Sequence, residues 1–423
     1  MRKDQTEIIE STRTHRFRIR PGNITEYSFR ERNGSISREA GAGSDYESNE
    51  FTGRGELTRL LPDKLKRTFF PPDNDGADME TVPLTRQGER ISSVLGTIPG
   101  LEWEVLFNLL NRKKYAEKDR KSSGYSSFSH FSVLIRFRLR EWNNFVEIGE
   151  GTIENKDHNI SGLLSRVEDI IRCNARSGGR KMPEGLPLIL SPGEGGIIFH
   201  EILGHSLEAD HVFRGLSPFR ISDVGRKVVS ENITLSTYKK GDPFFNGVPV
   251  DDEGNTRDNN TLIEKGVLRH LISDSRHSGE LGIEDLGSAR MEDFTKRPLP
   301  RMFAIYLENG GSSHEELMGS TVSGVYAREF GDGKVLFHKN RFYFNIPSAY
   351  MIKNGRVTDP LGSITVSGKI NEVFNAVEMV GDDFSFDRGI SYCYKEGQTL
   401  NVRVGQPSVK INRLTFSRGM NDL

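Results

Sequence analysis

Cysteine is nearly absent: Cys173 and Cys393 are the whole supply in 423 residues. Two thiols cannot build a disulfide framework, and their scarcity points to a reducing compartment. Charge of one sign is not in excess either. Lys and Arg number 58 and Asp and Glu 59, a net charge of −1. A chain so near neutrality lacks the surplus of cations with which a general nucleic-acid binder meets phosphates. No apolar run reaches the ~20 residues that span a bilayer. The first residues, MRKDQTEIIESTRTHRF, hold no apolar signal core, and the stretch IIFHEILG at 197–204 is broken by polar residues. The expected address is the cytoplasm, with neither membrane nor nucleic acid as partner. No repeat with a period of roughly 20–50 residues, no Walker loop and no GxGxxG after a strand is present.

What is there is a wet composition, 35% hydrophobic and 28% charged with 44 glycines. The length favours two domains and still allows a sizeable core. Near the start, strands are expected at His15–Arg20 and Thr25–Arg32, with turns at Pro21-Gly22 and Asn33-Gly34. The stretches 41–55 and 71–76 read as loops. Gly100–Arg112 places Leu101, Trp103, Leu106, Leu109 and Leu110 at helical spacing. The polar, basic segment 112–127 reads as a mobile, solvated loop. Phe131, Val133, Ile135, Phe137 and Leu139 alternate with polar residues, a strand with one buried face. Asn143-Asn144 turns into a second strand, Phe145–Glu150. Leu163–Cys173 is an amphipathic helix, and Cys173 is read as a buried, inert thiol. Beyond residue 180 the texture changes. Pro187–Leu190 is a short buried strand, Pro192–Gly196 a tight turn and 197–210 a helix closed by Asp210. From about 219 to 415, short β segments and Gly/Asn turns predict a sandwich or a partly closed barrel.

The chemistry is concentrated in GEGGIIFHEILGHSLEAD, 193–210, which contains His200-Glu201 and then His205. In H-E-x-x-H the histidines lie at i and i+4, share a helix face and bind zinc, while the Glu acts as general base. Here the spacing is five. On an ideal helix that turns the second ring about 140° away from the first. A π-bulge would bring the rings back into register, and Gly204 is the permissive residue beside it. The helix over 200–205 is therefore expected to be irregular. A hydrolytic zinc also needs a third ligand and an open position. His211 and the distant Cys393 are both candidates. Asp251-Asp252-Glu253 reads as a polar turn before Gly254 rather than a second metal site.

Several blocks in order resemble the TldD/PmbA family of zinc metallopeptidases, also described as modulators of DNA gyrase. Leu190–Gly193 with His200-Glu201, His205-Ser206-Leu207-Glu208 and Asp210 is similar to its strand, turn and H-E-x-x-x-H-x-L-E-x-D helix. Val250–Gly254 with Leu262–Leu268 resembles its central block, and Arg297–Met302 its P-x-P-R-M segment. Cys393-x-Lys395-Glu396-Gly397-Gln398 and Val404–Pro407 resemble its C-terminal signature. Together they cover about 155–415. The resemblance implies zinc (Zn2+) on His200, His205 and Cys393, with Glu201 as general base, in a TldD-like catalytic subunit. It implies an α+β chain: an N-terminal α/β domain, 1–180, then a C-terminal antiparallel β-rich barrel-like domain, 181–423, carrying the zinc helix. It also implies a dimer, with itself or with a PmbA-like chain, acting on unfolded or short peptides. Arg301 is a candidate substrate contact, with a surface ion pair as its ordinary alternative. The competing readings are an amide-cleaving tailoring hydrolase acting on a modified peptide or natural product, and a non-catalytic peptide-binding subunit.

Overall fold

The computed structural model describes residues 5–21, 23–39, 46–51, 78–118, 121–142, 144–153, 159–178, 182, 184–237, 248–257 and 261–418. Strands account for 49% and helices for 20%. The N-terminal region is a six-stranded sheet. Strands β1 (Gln5–Arg20), β2 (Asn23–Glu39), β3 (Tyr46–Phe51), β4 (Leu101–Lys118), β5 (Lys121–Leu139) and β6 (Val146–Ile153) lie in the order β3-β2-β1-β4-β5-β6. Every pairing is antiparallel. Two helices, α1 (Asp78–Leu95) and α2 (Ile160–Ala175), close one face. Ile91 and Leu95 of α1 and Leu163, Val167 and Ile170 of α2 share a core with Val105, Phe107, Val133 and Phe137 of the sheet. The Asn159 side chain accepts the Gly162 N–H and starts α2.

Four sequence expectations are corrected here. Residues 101–112 are strand, not helix. Trp103, Val105, Phe107 and Leu109 are buried in alternation, the period of a strand paired on both sides. Leu106 and Leu110 stand on the opposite face, and apolar residues on both faces imitate helical spacing. The basic segment 112–127 is not a loop, since its described residues belong to β4 and β5. Arg112 pairs with Glu10, and Lys114 with Asp252, so the charges are met by partners far away in sequence. Asn33-Gly34 is not a turn: β2 runs through it, opposite Ser11 and Glu10 of β1. Within 41–55 the structure has the strand β3; the remainder of that stretch and 71–76 lie outside the described residues.

The C-terminal region is built on a barrel. Strands Ser323–Glu329, Glu184–Leu190, Val409–Ser417, Arg356–Lys369 and Arg341–Lys353 pair in that order, and the last pairs with the first, closing a five-strand barrel. Four junctions are antiparallel, and Glu184–Leu190 runs parallel to Ser323–Glu329. A second sheet contains Ala304–Leu307 and Arg403–Gln406 as a parallel pair. The helix that begins at Gly196 is buried with them. Ile198, Phe199, Ile202 and Leu203 share a core with Leu190 of the barrel and with Ile305 and Val404 of the second sheet. At Gly196 a Cβ would come within 2.7 Å of the Gly405 backbone nitrogen. Glycine here lets the turn before the helix seat directly on the Val404–Pro407 segment.

Candidate metal centre

The helix is α-helical from Gly196 to Phe199 and then widens. His200–Gly204 is a π-helix, and the His205 N–H donates to the His200 carbonyl, five residues back. The wider turn sets the two imidazoles side by side, with ring centroids 5.0 Å apart. This is the irregularity that the five-residue spacing requires. A Cβ on Gly204 would lie 2.1 Å from Met302 Sδ, so the glycine allows the widened turn to pack on the segment after Pro300. The helix does not continue to Asp210, as the sequence suggests. It breaks at the extended Glu208, and a second short helix, Ala209–Phe213, follows.

Cys393 arrives on a hairpin, Tyr392–Lys395 paired with Gln398–Asn401. Its two turn residues, Glu396 and Gly397, have φ of 47° and 73°. Positive φ at both positions makes the tight turn whose twist suits a hairpin. Arg214 and Arg297 hold the Glu396 carboxylate at 2.9 and 2.7 Å. Alternation along the strand sends Cys393 and Lys395 to the same side, toward the helix.

The ligand atoms of His200, His205 and Cys393 all lie within 4.8 Å of one another, and all three residues are buried. Cys393 Sγ is 3.5 Å from His205 Nε2. Neither ring nitrogen of His200 has a hydrogen-bond partner. Buried polar atoms left bare are costly, so this pair of nitrogens calls for another partner. Two imidazoles and a thiol are a donor set suited to zinc. The residues present therefore fit such an ion. Glu201 stands beside them, with its carboxylate 3.9 Å from His200 Nε2 and its side chain 26% exposed.

Behind the donors lies a buried ionic group. Glu208 Oε2 is 2.8 Å from His205 Nδ1. A carboxylate there holds a proton on Nδ1 and leaves the Nε2 lone pair facing Cys393. Lys395 Nζ donates to Glu208 at 3.0 Å, to Asp210 at 2.7 Å and to the Pro300 carbonyl at 3.0 Å. Burial raises the Glu208 carboxyl, but His205 and Lys395 outweigh it and hold it below the ordinary carboxylate range. Burial also raises the Cys393 thiol, and the two neighbouring histidines bring it well below its usual value. For His205 burial works against the cation, yet Glu208 and Cys393 pull it well upward. Surroundings that draw a proton to this ring also suit a metal cation.

His211 is not part of the three-residue cluster. Its Nδ1 lies 2.9 Å from the His205 carbonyl oxygen, and it groups with Glu208 and Asp210. Arg301 is wholly buried, and its guanidinium donates to the carbonyls of Cys393 and Gln398. It braces the hairpin from inside and is not a surface ion pair. Asp251 accepts the backbone N–H groups of Glu253, Asn255 and Ala289, which makes 251–254 a structural polar turn. Cys173 is buried, with its thiol 3.4 Å from the Ala349 carbonyl. The sequence offered Glu208 and Lys395 only as motif letters, and Asp210 only as the end of the helix. The available signal was parity, because a lysine two residues after Cys393 on a strand must share its face.

Residues 183–418 match the family described as the PmbA/TldA metallopeptidase C-terminal domain. The match takes in more than half of the chain, which therefore belongs to the TldD/PmbA family. A metalloprotease TldD homolog of Buchnera aphidicola subsp. Acyrthosiphon pisum is 35% identical over 230 residues, 54% of this chain and 47% of that protein. A zinc metalloprotease TldD homolog of Saccharolobus solfataricus is 29% identical over 361 residues, 84% of this chain and 80% of that protein. The chain spans about half the length of several of these relatives, 54% of the Haemophilus influenzae homolog for example. The crystal structure of TldE from Thermococcus kodakarensis shares the fold, with a TM-score of 0.73 at 14% identity over 98% of this chain and 96% of that one.

Proposed function

We propose that the chain is a zinc-dependent peptidase that hydrolyses unfolded or short peptides. One observation carries the reading: the π-turn gathers His200, His205 and Cys393 into a buried cluster, with both His200 nitrogens bare. These three residues would hold the zinc, which supplies Lewis-acid polarisation and a water acidic enough to ionise near neutrality. Glu201 is the general base. It takes the proton of the attacking water on its carboxylate and returns it to the leaving amine. Glu208 fixes the tautomer and orientation of His205, and Lys395 offsets the charge of Glu208 inside the protein. Arg301 sets the position of the Cys393 backbone. A peptide added as a strand to a sheet edge would make the site selective for extended chains.

The same reading divides the chain near residue 180, supported by a family match that begins at 183. It places the protein in the cytoplasm as a dimer, with itself or with a PmbA-like chain. No described helix is long and apolar enough to cross a membrane. The test is peptide cleavage by the zinc-loaded protein and by Glu201→Gln. Loss of about 10²–10⁴-fold in rate with unchanged zinc content is expected. Full activity in the variant would contradict the mechanism.

A further inference from the structure

The sheet face turned away from α1 and α2 packs at one end, through Ile8, Ile36 and Ala116, on Val250, Met291 and Phe294, and opens further along. Even-numbered residues of β1, β2 and β4, among them Thr14, Arg16, Arg18, Arg30 and Asn108, line a cleft of about 730 Å³. Its other wall includes Tyr392, Tyr394 and Asn401 of the Cys393 hairpin. Strand alternation gives that hairpin two functions at once. Cys393 and Lys395 face the histidines, while Tyr392 and Tyr394 face the cleft. Tyr394 remains 74% exposed.

The cations of the cleft fall into two groups. Arg112, Lys114 and Arg32 are paired with Glu10, Asp252 and Asp293, and Arg290 donates to the Met302 and Asn401 carbonyls. Arg18 has Glu104 at 3.9 Å, a carboxylate that also meets Arg20 and Arg136. Arg16 and Arg30 are exposed and have no ion-pair partner among the described residues. In the β1–β2 register Arg16 lies opposite Ser28 and Thr14 opposite Arg30, so the two arginines are diagonal neighbours. An open arginine pair facing the exposed Tyr394 and the half-buried Tyr392 is a surface for carboxylates joined by backbone and apolar atoms. Asp293, Glu292 and Glu147 on the lining would repel a continuous phosphate chain. A peptide can place its carboxylates at Arg16 and Arg30 and pass those acids with uncharged residues.

We propose that this cleft binds an acidic, extended peptide segment and so makes acidic peptides the preferred substrates. The inference rests on the peptidase reading for its consequence, but its test measures binding alone. The probes are a fluorescent octapeptide with spaced glutamates and its counterpart with Gln at every Glu. Binding is measured on the zinc-loaded Glu201→Gln protein at low salt. The acidic peptide should bind about tenfold more tightly, the scale of two exposed charge pairs. The double variant Arg16→Ser/Arg30→Ser should reduce that preference to under about threefold and leave Gln-peptide binding unchanged. Arg16→Lys/Arg30→Lys should retain most of the preference. Equal binding of the two peptides would overturn the proposal, as would a preference that survives the serine double variant. Tighter binding of a single-stranded oligonucleotide through the same arginines would also overturn it and reassign the cleft. A wild-type protein that cleaves nothing would sink the peptidase reading and leave this binding result standing.

Discussion

Lys395 sits in the C-terminal interior with three oxygens within 3.0 Å of its nitrogen. Arg16 stands on the open face of the N-terminal sheet with no carboxylate partner among the described residues. Both are cations on β-strands, and their surroundings give them opposite tasks. The interior cation is locked, because removing it would strand Glu208 and Asp210 in a medium that cannot solvate them. The surface cation remains in water and is available to a ligand. In this molecule buried charge positions the candidate metal donors, and exposed charge is left to meet what arrives.

The comparison breaks most visibly at Lys395. Lys395→Met should destabilise the protein by about 3–5 kcal/mol, the cost of a buried ionic group that loses one partner. Urea unfolding measures it, and a loss below about 1 kcal/mol would mean that the group is solvated. A smaller effect is expected one step closer to the donors. Glu208→Gln keeps the shape and removes the charge behind His205. It should weaken zinc binding about 10–100-fold in competition with a chelator. The smallest effect belongs to the open face. Arg16→Ser/Arg30→Ser should change unfolding stability by no more than about 0.5 kcal/mol, as at surface sites free of special contacts. A large loss there would erase the contrast between the regions.

The parts of this arrangement were unequally legible in the sequence. Five-residue spacing between His200 and His205, with Gly204 next to the second, was enough to anticipate the widened turn, because α-helical geometry forbids a shared site at that spacing. Alternation in 131–139 revealed β5 for a similar reason: one face is buried and the other is wet. β4 concealed its period, since Leu106 and Leu110 line the cleft while Trp103, Val105, Phe107 and Leu109 fill the core. The segment 112–127 looked like a solvated loop because Glu10 and Asp252, which neutralise Arg112 and Lys114, lie far away in the chain. The burial of Arg301 was not legible. Arginine is rarely buried, and nothing local announces that the carbonyls of Cys393 and Gln398 will receive it.

The central claim is that one helix and one distant hairpin share a single metal. X-ray absorption at the zinc edge tests it most directly. The account predicts about one sulfur neighbour near 2.3 Å together with nitrogen or oxygen neighbours at about 2.0–2.1 Å, and loss of the sulfur shell in Cys393→Ser. A wild-type spectrum with nitrogen and oxygen neighbours alone would contradict it.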